Sequence, residues 1–148
     1  DLVGLNSRLD SMQAAILNVK LKYLDSYNES RRTSAIRYSN NLKAIDNVIT
    51  PNIPSNSQSH VFHQYTLRIL DSKRDLLADY LTKNAIPFGI YYPVPLHNQK
   101  AYFTPEVDNK LFPVTNRAVK EVISLPMHTE LSNDQIDHIS EKIIKFLN

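Results

Sequence analysis

From Leu9 to Leu42 the apolar residues recur at helical spacing, and so long a helix in a chain of 148 residues constrains everything after it. Met12, Ala15, Ile16, Val19 and Tyr23 follow the i, i+3, i+4, i+7 pattern of one face. The stripe resumes with Tyr27, Ala35, Tyr38 and Leu42, while Asn28-Glu29-Ser30-Arg31-Arg32 between them is polar. The run therefore predicts one long helix or two, with a kink or solvent crossing between Asp25 and Ser30. Packing rather than propensity stabilises a helix of this length. The partner of its apolar face is expected in a further domain.

Beyond the helix, Pro51 and Pro54 with Asn52, Ser55, Asn56, Ser57 and Ser59 predict a loop after the short apolar patch Val48-Ile49. His60 to Ile69 alternates as a half-buried strand, with Val61, Tyr65, Leu67 and Ile69 on one face and Gln64, Thr66 and Arg68 on the other. Ser72 with Asp75 reads as a capping box opening a helix whose apolar face is Leu76, Leu77, Tyr80 and Leu81 and whose stop is Asn84. Ile86 to Tyr92 predicts a strand ended by Pro93 and Pro95. Residues 94–113 read mainly as loop. Pro113 then suits the first turn of a helix burying Ala118, Val119 and Val122. Ile123-Ser124-Leu125 is a short strand. Ser132 with Gln135 opens a last helix whose stripe is Ile136, Ile139, Ile143 and Leu147. The order predicts an α+β fold: a long N-terminal helix, then a small three- or four-stranded sheet with helices packed on one face.

Composition removes several functions. A hydrophobic share of 42% and a charged share of 22% are those of a folded chain. A net charge of +2, with no polybasic tract, gives no footprint for nucleic acid or a membrane surface. No cysteine is present, which excludes disulfides, thiolate nucleophiles and thiolate metal sites. This usage fits a cytoplasmic location. No apolar run nears the ~20 residues that cross a bilayer, and the N-terminus lacks the pattern of a secretory signal. The chain opens without an initiator Met, in a polar loop, and residue 1 is read as a fragment boundary. Gly4 and Gly89 are the two glycines, too few for a phosphate-cradling glycine loop. Side chains or a partner's backbone must then hold any phosphorylated ligand.

Two polar clusters can carry chemistry. Asn6 and Arg8 stand just ahead of the long helix, where an amide, a forked guanidinium and the helix N-terminus can meet an anion. A plain cap by Ser7 or Asn6, with Arg8 solvated, accounts for the same residues. The second cluster is Tyr91-Tyr92-Pro93-Val94-Pro95-Leu96-His97-Asn98-Gln99, where a strand runs into a rigid double-proline turn. Its hydroxyl, imidazole and amide groups suit a sugar-like ligand. A structural turn with a buried tyrosine is the other reading. His60 and His63 fall on opposite strand faces, and no carboxylate lies at metal-site spacing with them, His97 or His128, so no metal site is expected. No serine sits in a nucleophile-elbow context.

The opening Gly4-Leu5-Asn6-Ser7-Arg8-Leu9-Asp10-Ser11-Met12-Gln13-Ala14-Ala15 resembles the G-x-N-x-R-[LM]-x-x-x-Q-A-A signature of PLP-dependent nucleotide-sugar aminotransferases of the DegT/DnrJ/StrS type, which are fold-type I enzymes. Arg31 or Arg32, Tyr38 and Leu42 resemble the R-x-x-x-A-x-x-Y-x-x-x-L helix that follows. His60-Val61-Phe62-His63-Gln64-Tyr65 is similar to a strand containing H-x-Y, and Tyr91-Tyr92-Pro93-Val94-Pro95-Leu96-His97 to a Y-P-x-P-L-H turn. Leu125-Pro126-Met127-His128 with Glu130-Leu131-Ser132 is similar to L-P-M-H-x-x-L-S. The matches run in order along essentially the whole chain.

This resemblance implies the C-terminal small domain of such an enzyme, with residues 1–43 a loop plus long connecting helix and residues 44–148 the α+β body. The large domain, with its Schiff-base lysine, precedes the first residue, and no lysine of this chain is assigned as catalytic. The implied cofactor is pyridoxal 5'-phosphate. The implied reaction moves an amino group from glutamate to a keto sugar of a nucleotide-linked hexose, with carbon 3 favoured by the form of the tyrosine turn. The implied assembly is a homodimer in which Asn6 reaches the cofactor phosphate of the neighbouring subunit. Arg8, Tyr91, Tyr92 and His97 become substrate-binding residues, and the chain alone is expected to be inactive. A non-catalytic α+β binding or interaction module is the alternative.

Overall fold

A computed structural model describes residues 3–53, 59–105 and 109–148. Helix α1 spans Ser11–Leu21 and α2 spans Leu24–Leu42. The break falls at Lys22 and Tyr23, ahead of the expected Asp25–Ser30, because the Tyr23 backbone leaves the helical region at φ −109° and ψ 3°. The polar stretch Asn28–Arg32 stays inside α2, where Arg32 pairs with Glu29 one turn back at 2.8 Å. The α1 N-terminus is capped neither by Asn6 nor by Ser7: the Asp10 carboxylate accepts the Gln13 N–H at 2.8 Å. No residue of α1 is buried, and Met12, Ile16 and Val19 of the predicted stripe are exposed.

Strands β1 (Val48–Ile49), β2 (Tyr65–Ile69) and β3 (Val122–Leu125) form an antiparallel sheet in the order β1-β2-β3. Register places Tyr65 opposite Leu125 and Leu67 opposite Ile123. Tyr65, Leu67 and Ile69 are fully buried and the residues between them half-buried, as period-two alternation requires. The strand is shorter than the predicted His60–Ile69. Phe62 adopts φ 48°, so the chain turns there. That turn buries Phe62 and leaves Val61 exposed, the reverse of the expected facing. His60 Nδ1 accepts the Phe62 N–H at 2.9 Å and holds the turn.

Helix α3 covers Arg74–Lys83, α4 Pro113–Glu121 and α5 Asn133–Leu147, with single 3-10 turns at Leu96–Asn98 and Asn109–Leu111. The predicted capping box at Ser72 does not form, because Asp71 and Ser72 both lie at positive φ and Lys73 takes the N-cap position. Leu77, Ala78 and Leu81 are buried, Tyr80 is half-buried and Leu76 is exposed. Asn84 ends α3 as expected, and Ala85 follows at φ 56°. The Ala85 N–H then reaches Thr82 O at 3.0 Å and the Ile86 N–H reaches Leu81 O at 3.0 Å, a Schellman closure.

No strand forms over Ile86 to Tyr92; a single bridge joins Gly89 to Ser124. Pro87 has no N–H to give to a ladder, so the pairing stops at that point. Pro113 stands in the first turn of α4 as predicted, while Ala118, Val119 and Val122 are only half-buried. The α5 capping box does form. Gln135 N–H donates to Ser132 Oγ at 3.2 Å, and Ser132 N–H donates to Gln135 Oε1 at 2.9 Å. Ile136, Ile139, Ile143 and Leu147 are all buried against α2, α3 and the sheet.

The core joins Ala35, Tyr38 and Leu42 of α2 to β2, α3 and α5. Tyr38 stacks on Tyr65 with ring centroids 5.1 Å apart. Burial raises both phenol pKa values, that of Tyr65 to about 12. Each hydroxyl has a partner: Tyr38 Oη donates to Pro126 O at 3.3 Å, and Tyr65 Oη lies 2.7 Å from Ser39 Oγ. On the surface of the α2–α5 seam, Arg37 forms a forked pair with Asp137, whose carboxylate also accepts Asn41 Nδ2 at 2.9 Å. No helix among the described residues is long and apolar enough to cross a membrane.

Candidate functional site

At the ends of β2 and β3 three segments far apart in sequence come together. His63 and Gln64 enter β2, Leu125 and Met127 leave β3, and Gly89 and Tyr91 lie alongside, so that all of them line one open cleft of about 280 Å³. Helix α2 fixes two of the walls. Arg31 Nη1 donates to His63 O at 3.3 Å and to Met127 O at 3.1 Å, and Tyr38 reaches Pro126 O beside them. The backbone of the third wall is held by the Gly89–Ser124 pair, whose two hydrogen bonds measure 2.9 Å and 2.7 Å. Gly89 has an ordinary backbone conformation, and the Tyr91 ring folds back over it.

The predicted tyrosines divide between two clefts. Tyr91 faces the cleft just described, half exposed. Tyr92 lines a larger open cleft of about 670 Å³ with Val3 and Gly4 of the opening loop and with Asn98 and Gln99 of the proline turn. Their rings meet edge to face, centroids 5.9 Å apart at 70°. His97 lines neither cleft; its imidazole stacks on Phe112 at 4.5 Å. Asn6 and Arg8 are exposed and line neither cleft, although Gly4, two residues ahead of Asn6, does line that of Tyr92. The structure thus brings the opening loop to Tyr92, brings the H-x-Y strand to Tyr91, and leaves His97 apart.

Sequence reasoning missed Arg31 as the clamp on the cleft walls, and Gly89 as the floor under Tyr91. Arg31 carried a motif match without a role. Gly89 carried a signal, since a glycine inside an otherwise alternating apolar stretch marks a close approach. Among the described residues no group of three or more His, Asp or Glu side chains is placed to hold an ion.

The described residues can contribute to a phosphorylated cofactor but cannot enclose one. Asp10 already occupies the α1 N-terminus with a carboxylate, so an approaching phosphate must be met by side chains. Asn6 offers an exposed amide donor and Arg8 an exposed guanidinium, which fits one edge of such a group.

The sequence model of the DegT/DnrJ/EryC1/StrS aminotransferase family matches residues 1–144. A Geobacillus stearothermophilus protein named pleiotropic regulatory protein is 42% identical over 98% of this chain and 39% of its own length. The dTDP-3-amino-3,6-dideoxy-alpha-D-galactopyranose transaminase of Aneurinibacillus thermoaerophilus is 36% identical over 97% of this chain and 38% of its own. The crystal structure of S. venezuelae DesV, in complex with a ketimine intermediate, superposes with a TM-score of 0.87 at 30% identity, covering 98% of this chain and 38% of that one. The chain therefore spans just under two-fifths of the length of these relatives. It belongs to the DegT/DnrJ/EryC1/StrS aminotransferase family.

Proposed function

We propose that this chain is the C-terminal part of a cytoplasmic, homodimeric aminotransferase that moves an amino group from glutamate to the keto carbon of a nucleotide-linked hexose. Residues 1–43 form the loop and connecting helices, and residues 44–148 form the small-domain body. The observation that carries this reading is the convergence of His63, Tyr91 and Met127, from three family-like segments, on one cleft.

When bound, pyridoxal 5'-phosphate supplies an electron sink for moving the amino group. Asn6 donates its amide N–H to the phosphate bound in the neighbouring subunit. Arg8, two residues on, meets an anionic or hydroxyl group of the substrate with its forked donors. Tyr91 and Tyr92 present ring faces and hydroxyls to the sugar, a combination suited to a ring with one apolar and several polar edges. His97 is assigned to the sugar by its place in the tyrosine-proline turn alone; its imidazole stacks on Phe112, outside both clefts. The bare apolar face of α1, with Met12, Ile16 and Val19 exposed, supports a partner surface in the complete assembly. The lysine that moves the proton is assigned to the remainder of the enzyme.

The test is an assay of the full-length protein carrying this chain, supplied with glutamate and dTDP- or UDP-linked 3-keto sugars. Formation of 2-oxoglutarate by the full-length protein, and none by the 148-residue chain alone, is the expected result. Equal turnover by the isolated chain, or none by the full-length protein with either nucleotide, sinks the reading.

A further inference from the structure

We infer that Gly89 is a positioning residue, whose missing side chain lets the Tyr91 ring lie on the backbone and face the cleft beside His63. This rests on the reading above that Tyr91 meets the sugar. Glycine is usually required where φ is positive, but no glycine here has a positive φ. The backbone at 89 is pinned in place by its paired hydrogen bonds to Ser124. The reason for a glycine must then be space.

The Tyr91 ring lies over Gly89. A Cβ at 89 would stand 2.3 Å from Tyr91 Cε2, 2.6 Å from Cζ and 2.7 Å from Oη, well inside contact distance. All three atoms belong to the far end of a side chain with two torsions. The pairing with Ser124 can therefore survive an added methyl, while the ring cannot stay. Displacement of the ring removes one wall of the cleft. It also breaks the edge-to-face contact with Tyr92, so one methyl disturbs both tyrosines. Only glycine at 89 permits this seat for the phenol.

The experiment uses the full-length protein with Gly89→Ala, Tyr91→Ala and the double variant, read first by thermal denaturation. Gly89→Ala is expected to lower Tm by about 2–6 °C when Tyr91 is present, and to have almost no effect in the Tyr91→Ala background. Equal losses in both backgrounds overturn the proposal, because Gly89 would then act without Tyr91.

The second measurement is KM and kcat, with glutamate as donor, for whichever dTDP- or UDP-linked 3-keto sugar the wild type turns over. Both single variants are expected to raise KM about tenfold, with the double variant no worse than Tyr91→Ala. A purely structural role would lower the active fraction and leave KM in place. A KM raised by Tyr91→Ala but not by Gly89→Ala overturns the role of Gly89 and keeps Tyr91 at the sugar. A KM moved by neither removes Tyr91 from the sugar site, and the proposal falls with that reading. A wild type that turns over neither compound rejects the proposed activity, and the thermal cycle alone then decides the placement of the ring.

Discussion

The guanidinium of Arg31 donates to the main-chain carbonyl of Met127 at 3.1 Å, joining α2 to a segment 96 residues away. The same nitrogen reaches His63 O, so one side chain ties together the entry of β2 and the exit of β3. Arg31→Met keeps much of the stem packing and removes the donor. The expected loss is about 1.5–3 kcal/mol of stability, that of hydrogen bonds to a charged group. Urea unfolding should show a lower midpoint at unchanged slope, and a midpoint equal to wild type would deny the clamp.

Ala85 closes α3 at φ 56°, a conformation that crowds its Cβ against the following carbonyl. Glycine there removes the strain and gives back part of the gain as unfolded-state entropy. Ala85→Gly should therefore stabilise the protein by about 0.5–1 kcal/mol. Calorimetry that finds the variant less stable would show that the Schellman closure does not form in solution.

Asp137 has a pKa lowered to about 2 from its ordinary 3.8, first by the hydrogen bond from Arg37 and then by that from Asn41. A depressed folded pKa stabilises the fold above the unfolded value. That contribution is present above pH about 4 and fades as pH falls toward about 2. Melting curves of wild type and Asp137→Asn should differ by a constant amount above pH about 4 and draw together below it. Parallel curves throughout that window would remove the ion pair from the acid response.

If Asn6 holds the cofactor phosphate as proposed, Asn6→Ala in the full-length protein weakens cofactor retention by removing one donor to a charged group. The expected cost is about 1.5–3 kcal/mol. Dialysis followed by absorbance of the retained cofactor measures it, and unchanged retention would detach Asn6 from the phosphate.

Local chemistry was legible in the chain and distant geometry was not. The Ser132–Gln135 box and the isoleucine stripe of α5 are decided by neighbours three and four residues apart, and both stand as predicted. Pro113 opens α4 for the same reason. Ser72 misled because positive φ at Asp71 and Ser72 displaces the cap by one residue, and no pattern of polar residues signals that. Phe62 misled likewise, its left-handed backbone exchanging the facing of Val61 and Phe62.

For the site, family-like motifs named the tyrosines, yet only the fold separates Tyr91 from Tyr92 and brings His63 beside the former. The Arg31 clamp spans nearly the whole body and has no short-range trace. The missing strand over Ile86 to Tyr92 was written in Pro87, whose lost donor outweighs the alternation around it.

The same proline and glycine govern how the sheet meets other chains. An open strand edge is a template onto which a neighbouring molecule can add. One edge here is β1, only Val48–Ile49 long and followed at once by Thr50 and Pro51. At the other edge, Gly89 takes both main-chain groups of Ser124, and Pro87 supplies no N–H for the pairing to continue. What failed as a fourth strand thus serves as a stopper, denying an incoming β-strand a run of free groups while the cleft that Tyr91 borders stays open.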